Sequence, residues 1–268
     1  MIYSYCVIDS GDTLKERING LDGAIIYTIP HRDIGLVSSE IGRVIKDAGR
    51  TDVLRHEEVV ERVMGRYVVL PMRFNTVFGT EADAVDVLRR RYDEFKKNIN
   101  RLRDKVEFGV RIIWPGERIR EGIARAHKSS TAGSGAPGDT PAKRYVKEKL
   151  AEHETQKAFE REAEKHIRAL ESILQDAISE KRAERLKSRD LLLDAKYLVG
   201  KGAARDFREL FERFKKEHGD FRYLFSGPWP PYNFVRVRIP PKPLCAKGGV
   251  SEEALPPLKK GDRGDSVG

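Results

Sequence analysis

Cysteine is nearly missing from this chain of 268 residues, with only Cys6 and Cys245 present. Two such residues make neither a disulfide framework nor a zinc cage, and neither lies in a C-x-x-C pair, so both read as reduced thiols of a cytoplasmic protein. Long hydrophobic runs are missing as well. Nothing approaches the roughly 20 apolar residues of a membrane-spanning helix, and Met1 to Ser10 alternates like a strand where a signal segment would be basic and then apolar. Export and membrane insertion are therefore not expected. The six histidines are scattered, without His-x-x-x-His or a Cys/His pair at ligand spacing. A nucleophile elbow, a P-loop and a G-x-G-x-x-G turn are all absent. In Gly200-Lys201-Gly202 the glycines are explained by a strand exit and a helix cap. In His56-Glu57-Glu58 adjacent side chains point to different helix faces, which makes His56 a surface histidine by expectation. No residue is left to nominate for catalysis, for a metal or for a cofactor, and an enzyme is not expected.

What the chain does contain is charge. Lys and Arg number 51 against 42 Asp and Glu, a net of +9, while 39% of residues are hydrophobic. That balance is too apolar for disorder and suits two folded units with polar excursions. Blocks such as Arg89-Arg90-Arg91 and Lys215-Lys216 sit among acids and aromatics at helical spacing. They read as solvated helix faces in preference to a nucleic-acid footprint.

Periodicity gives the element order. Ile2 to Ile8 is a strand closed by Gly11-Asp12, Leu14 to Ile18 a short amphipathic helix, and Ala24 to Ile29 with Ile34 to Ser38 a hairpin. Thr51-Asp52 starts a helix carried by Val53, Leu54, His56, Val59, Val60, Val63 and Met64, and Tyr67 to Leu70 follows as a strand. This order is that of a ferredoxin-like split βαβ unit over residues 1–80. Thr80-x-x-Asp83 caps a second helix with an apolar stripe at Val85, Leu88, Tyr92, Phe95, Ile99 and Leu102. Val106 to Trp114 alternates as a half-buried strand. Residues 128–139, KSSTAGSGAPGD, read as a mobile linker. A helix capped by Thr140-Pro141 should run to about Ser188 as a long excursion, with its N-terminal turns projecting. Strands at Leu191–Val199, Phe221–Phe225 and Phe234–Ile239 and a helix bearing Phe207, Leu210, Phe211 and Phe214 complete a second unit over 81–239. The tail, 240–268, lacks apolar periodicity and is expected to be disordered.

Two strings stand out. Leu70-Pro71-Met72-Arg73-Phe74-Asn75-Thr76-Val77-Phe78 places a guanidinium among apolar residues beside a proline that bars an ordinary central strand. Phe225-Ser226-Gly227-Pro228-Trp229-Pro230-Pro231-Tyr232-Asn233-Phe234-Val235 carries aromatics on a proline-stiffened segment, suited either to recognition or to plugging its own sheet. With the strands KVEFGVRIIW at 105–114 and AKYLV at 195–199, these strings resemble the GvpL/GvpF family of gas vesicle proteins, from residue 3 to about 239.

The resemblance implies a cytoplasmic α+β protein with a modified ferredoxin-like C-terminal part, needed to build gas-filled protein shells. A shell subunit with a large apolar face would aggregate before assembly. An accessory protein that covers or positions that face works by reversible contact, without making or breaking bonds. The partners implied are the major shell protein and other gas vesicle accessory proteins, at the gas vesicle itself. Arg73, Phe74, Trp229 and Tyr232 are the candidate partner-binding residues. The alternative reading is a basic RNA- or DNA-binding module on the same scaffold, although its aromatic, Gly-spaced strand signature is missing.

Overall fold

The computed structural model describes residues 1–42, 45, 49–131, 140–184 and 190–237. The first sheet joins β1 (Ile2–Ile8), β2 (Tyr27–His31), β3 (Ile34–Glu40), β4 (Val69–Pro71) and β5 (Val77–Phe78). All pairings are antiparallel in the order β2-β3-β1-β4, and β5 shares the outer side of β1 with β4. The central β1 is buried at all seven positions, because helices cover both faces of the sheet. On one face lies α1 (Arg50–Met64), whose Val59, Val60 and Val63 meet Tyr3, Tyr5 and Val37. On the other lie α2 (Glu81–Arg90) and α3 (Tyr92–Leu102), whose Leu88, Phe95 and Ile99 meet Ile2, Val7 and Leu36.

The second sheet has β6 (Lys105–Ile113), β7 (Ile178–Glu184), β8 (Leu191–Gly200) and β9 (Arg222–Trp229), antiparallel in the order β7-β8-β6-β9. Between β6 and β7 run α4 (Gly116–Thr131) and α5 (Pro141–Leu174), and α6 (Ala204–Glu217) links β8 to β9. Its core is aromatic. Phe108 stacks on Phe207 at 4.9 Å and on Phe225 at 5.4 Å, and Phe211 stacks on Phe225 at 4.9 Å. Each half thus runs first strand, long excursion, hairpin, helix and a last strand beside the first. The chain is α+β with two antiparallel sheets.

Several sequence expectations need correction. Leu14 to Ile18 forms no helix, and the excursion from β1 to β2 holds only a 3-10 turn at Leu21–Gly23. The Thr80 cap forms as expected, its hydroxyl accepting from the Asp83 N–H at 3.2 Å, but the helix breaks at Arg91 into α2 and α3. Residues 128–131 continue α4, and the rest of the linker, like the tail, lies outside the described residues. The helix started by Thr140 ends at Leu174 and not near Ser188, and Ile178–Glu184 is an edge strand. The expected strand at Phe234–Ile239 is replaced by a 3-10 turn at Tyr232–Phe234 and irregular chain to Val237, the remainder lying outside the described residues. β6 is covered on both faces at its centre, for Glu107 is buried as well as Val106 and Phe108. The first turns of α5 do project, leaving Tyr145, Val146 and Leu150 exposed.

Candidate interaction site

The string at 70–78 is a tight turn between β4 and β5. Pro71 closes β4, the Met72 N–H bonds the Tyr5 carbonyl at 2.8 Å, and the chain reverses at Asn75, whose φ of 65° an Asn tolerates through its short polar side chain. The turn is held by the Thr76 hydroxyl donating to the Arg73 carbonyl at 2.7 Å and by the Asn75 N–H donating to the Tyr3 hydroxyl at 3.0 Å. Arg73 is left exposed at the tip. Phe74 is half-buried with its ring 5.8 Å from His56 and 6.1 Å from Tyr3.

The string at 225–235 is no hairpin connection. β9 runs on through Gly227 to Trp229, which sits opposite Glu107 in the ladder and is half-buried. Gly227, at φ 115°, has no room for a side chain, since a Cβ would stand 2.6 Å from the Glu107 carbonyl oxygen. Asn233 then grips the buried Glu107 carboxylate twice, with its backbone N–H at 2.9 Å and its side-chain amide at 2.5 Å. Beside that grip Tyr232 and Phe234 enter different cores. Tyr232 reaches the cluster beneath α1, its ring 6.4 Å from His56, and Phe234 enters the core that joins the first sheet, α2 and α3 with Leu198 of β8.

His56 is the hub of this aromatic nest and a correction to its expected place on the surface, being only 1% exposed. Its Nε2 faces the Met72 carbonyl at 3.2 Å and its Nδ1 the Tyr3 hydroxyl at 2.9 Å. A carbonyl only accepts, so the proton is assigned to Nε2 and Nδ1 accepts from Tyr3. Burial drives His56 down to about 4, against the opposing pull of the Met72 carbonyl. The same desolvation pushes the Tyr232 phenol well above its ordinary range, with Cys6 and Glu57 adding to it, and raises the buried Cys6 thiol. At neutral pH the nest is uncharged and packs as a buried aromatic cluster. The Tyr232 hydroxyl is enclosed there without a hydrogen-bond partner.

Of the four residues proposed from sequence, Phe74 and Tyr232 are brought together through His56, Arg73 marks the rim of the turn, and Trp229 stays on its own strand. Sequence reading missed Tyr3, Tyr5 and His56. The signal for His56 was present, because it falls in the buried series of α1 with Val59, Val60 and Val63. A half-open cavity of about 310 Å³ near Leu21, Asp22, Thr51 and Arg55 includes none of the four. Among the described residues no group of His, Cys, Asp or Glu is arranged to hold a metal, and no helix is long and apolar enough to cross a membrane.

Residues 1–236 match the family described as gas vesicle synthesis protein GvpL/GvpF. Gas vesicle protein F2 of Halobacterium salinarum is 25% identical over 244 residues, covering 89% of this chain and 93% of that one. The crystal structure of the gas vesicle protein GvpF from an Anabaena species superposes with a TM-score of 0.75 at 18% identity, over 89% of this chain and 99% of that one. That of GvpF from Microcystis aeruginosa gives 0.76 at 16% identity, over 88% and 99%. At these identities the two structures establish a shared fold.

Proposed function

The chain belongs to the GvpL/GvpF family of gas vesicle synthesis proteins, and we propose that it serves gas vesicle assembly by reversible, non-covalent contact. Its partners in this reading are the major shell protein or other accessory gas vesicle proteins, met in the cytoplasm at the growing vesicle, with no bond made or broken. The observation that carries the reading is the family match over residues 1–236, nearly the whole described chain. The contact surface proposed is the tip of the 70–78 turn, with exposed Arg73 and half-buried Phe74 backed through His56 by Tyr232, together with half-buried Trp229 on its own strand. The buried grip of Asn233 on Glu107 fixes the chain beside Tyr232, and a rigid aromatic loses little entropy on binding. The division into units at 1–80 and 81–239, each a variant of the ferredoxin-like plan, belongs to the same proposal.

The test is a salt-titrated binding assay of the full chain against purified shell protein and against RNA. Apolar capture of the shell protein should persist as salt rises, and RNA binding should be weak. Tight RNA binding that falls steeply with salt, with no capture of shell protein, would replace this reading by the nucleic-acid one. Within the assay, Trp229→Ala should weaken shell binding by about 2 kcal/mol or more, as hot-spot aromatics do. A variant that is destabilised yet binds normally once folded would make Trp229 a structural plug.

A further inference from the structure

We propose that the guanidinium cluster of Arg101, Arg182 and Arg236, set around the single carboxylate of Glu180, is a docking point for an acidic segment of a partner protein. Three elements converge on Glu180 of the edge strand β7. Arg101 from α3 donates to its Oε2 at 2.8 Å, Arg236 from the chain after Phe234 donates to the same oxygen at 3.0 Å, and Arg182, two residues along β7, stands 4.0 Å from Oε1. Among the described side chains Glu180 is the one carboxylate in ion-pair contact with any of the three. Among those side chains the cluster therefore holds two positive charges beyond the one that Glu180 balances.

The members are not equivalent. Arg101 is internal to the fold. It also donates to the Phe234 carbonyl, and the Asn98 amide oxygen beside it accepts from the Arg236 N–H at 2.8 Å, so it fixes the C-terminal segment. Burial, and then the nearby charge of Arg236, lower its proton affinity below the ordinary arginine range. Arg182 and Arg236 are the outward pair, with side chains 47% and 56% exposed. Arg182 is braced over the Phe234 ring at 5.5 Å, which limits the entropy it loses on binding. Each guanidinium has five N–H donors in a planar fork, and Glu180 uses one of Arg236 and is only at contact range for Arg182. Forks of this kind match a second carboxylate bidentately.

A protein acid suits the patch better than nucleic acid. Among the described residues the cluster's excess charge is gathered at one spot on a sheet edge, where a nucleic acid would require a longer basic track along its phosphates. This inference is separate from the aromatic contact surface proposed above, and shell capture there can succeed or fail independently.

The experiment measures fluorescence anisotropy of a labelled hexapeptide of alternating Asp and Glu, titrated with the full chain at low salt. Arg182→Gln with Arg236→Gln should weaken the peptide's Kd by 10-fold or more. The control Arg89→Gln with Arg90→Gln removes the same charge from a site where both pair with Asp86, and should change it less than 2-fold. A six-nucleotide oligothymidylate should bind more weakly than the peptide. Equal weakening by the two double variants would show a response to net charge alone and overturn the proposal, as would tighter binding of the oligonucleotide or no binding of the peptide. If thermal melting shows the first double variant unfolded, Arg182→Gln alone, which leaves the Arg236 anchor in place, should still weaken Kd by 3-fold or more, and an unchanged Kd would overturn the proposal.

Discussion

His56 shows what burial does to a titratable side chain. Its folded-state pKa of about 4 lies below the ordinary value of 6.5, so between the two the unfolded chain binds the proton and the folded chain does not. Stability contributed by neutral His56 is complete above about 6.5 and is lost as pH falls toward 4, up to roughly 3 kcal/mol in all. An NMR titration of the His56 ring should show no protonation until the pH nears 4, and a midpoint near 6.5 would refute the buried placement. Two of the three tyrosines around it, Tyr3 and Tyr232, should respond oppositely to loss of the hydroxyl. Tyr3 serves both His56 and the Asn75 N–H, so Tyr3→Phe should cost about 1–3 kcal/mol by leaving buried groups unpaired. Tyr232 has an enclosed hydroxyl with no partner, so Tyr232→Phe should be neutral or mildly stabilising when both variants are unfolded in urea.

At the scale of elements, sequence was legible where an element carries its own signal. The Thr80 capping box, the buried series of α1 and the positions of β6 and β8 lie where the sequence places them, although the burial of β6 does not alternate as expected. β7 was not legible, because Ser179, Glu180, Lys181, Arg182 and Glu184 supply no apolar face. As a sheet edge hydrogen-bonded to β8 it needs none, and with no Gly or Pro after Leu174 nothing announces the end of α5. The segment after Tyr232 misled in the other direction. Val235 and Val237 alternate with arginine as a strand would, but the inward side packs on the α3 core and Asn98 takes the backbone N–H that a neighbouring strand would take. The four candidate residues were nominated from the composition of two strings, while the placement of Tyr232 relative to the 70–78 turn follows the Asn233 to Glu107 contact across 126 positions, which no local pattern encodes. Gly227 tests that arrangement. With φ at 115° and the Glu107 carbonyl 2.6 Å from any Cβ, Gly227→Ala should lower stability by about 2 kcal/mol or more in thermal denaturation. An unchanged melting temperature would mean that the chain leaves β9 by another path.

Over the whole molecule, the two sheets repeat one strand order but are not two independent cores. α2 and α3 form a layer on the first sheet, and the core they close also takes Leu198 from β8 and Phe234 from the C-terminal segment. Tyr232, two residues earlier, enters the opposite side of the first half. The chain from Pro230 to Val237 therefore straps the second half onto both faces of the first, with Arg101, Asn98 and Glu107 as its anchors. A strap that fills a shared core should couple the halves on unfolding. Phe234 is fully buried, so Phe234→Ala should cost about 3–5 kcal/mol, as large-to-small core changes do. The decisive measurement is native-state hydrogen exchange of the variant. Amides of β1 and β8, in different sheets, should lose protection together, because the cavity opens between them. Faster exchange confined to β8, with β1 unchanged, would mean that Phe234 stabilises only its own half and that the strap does not join the two.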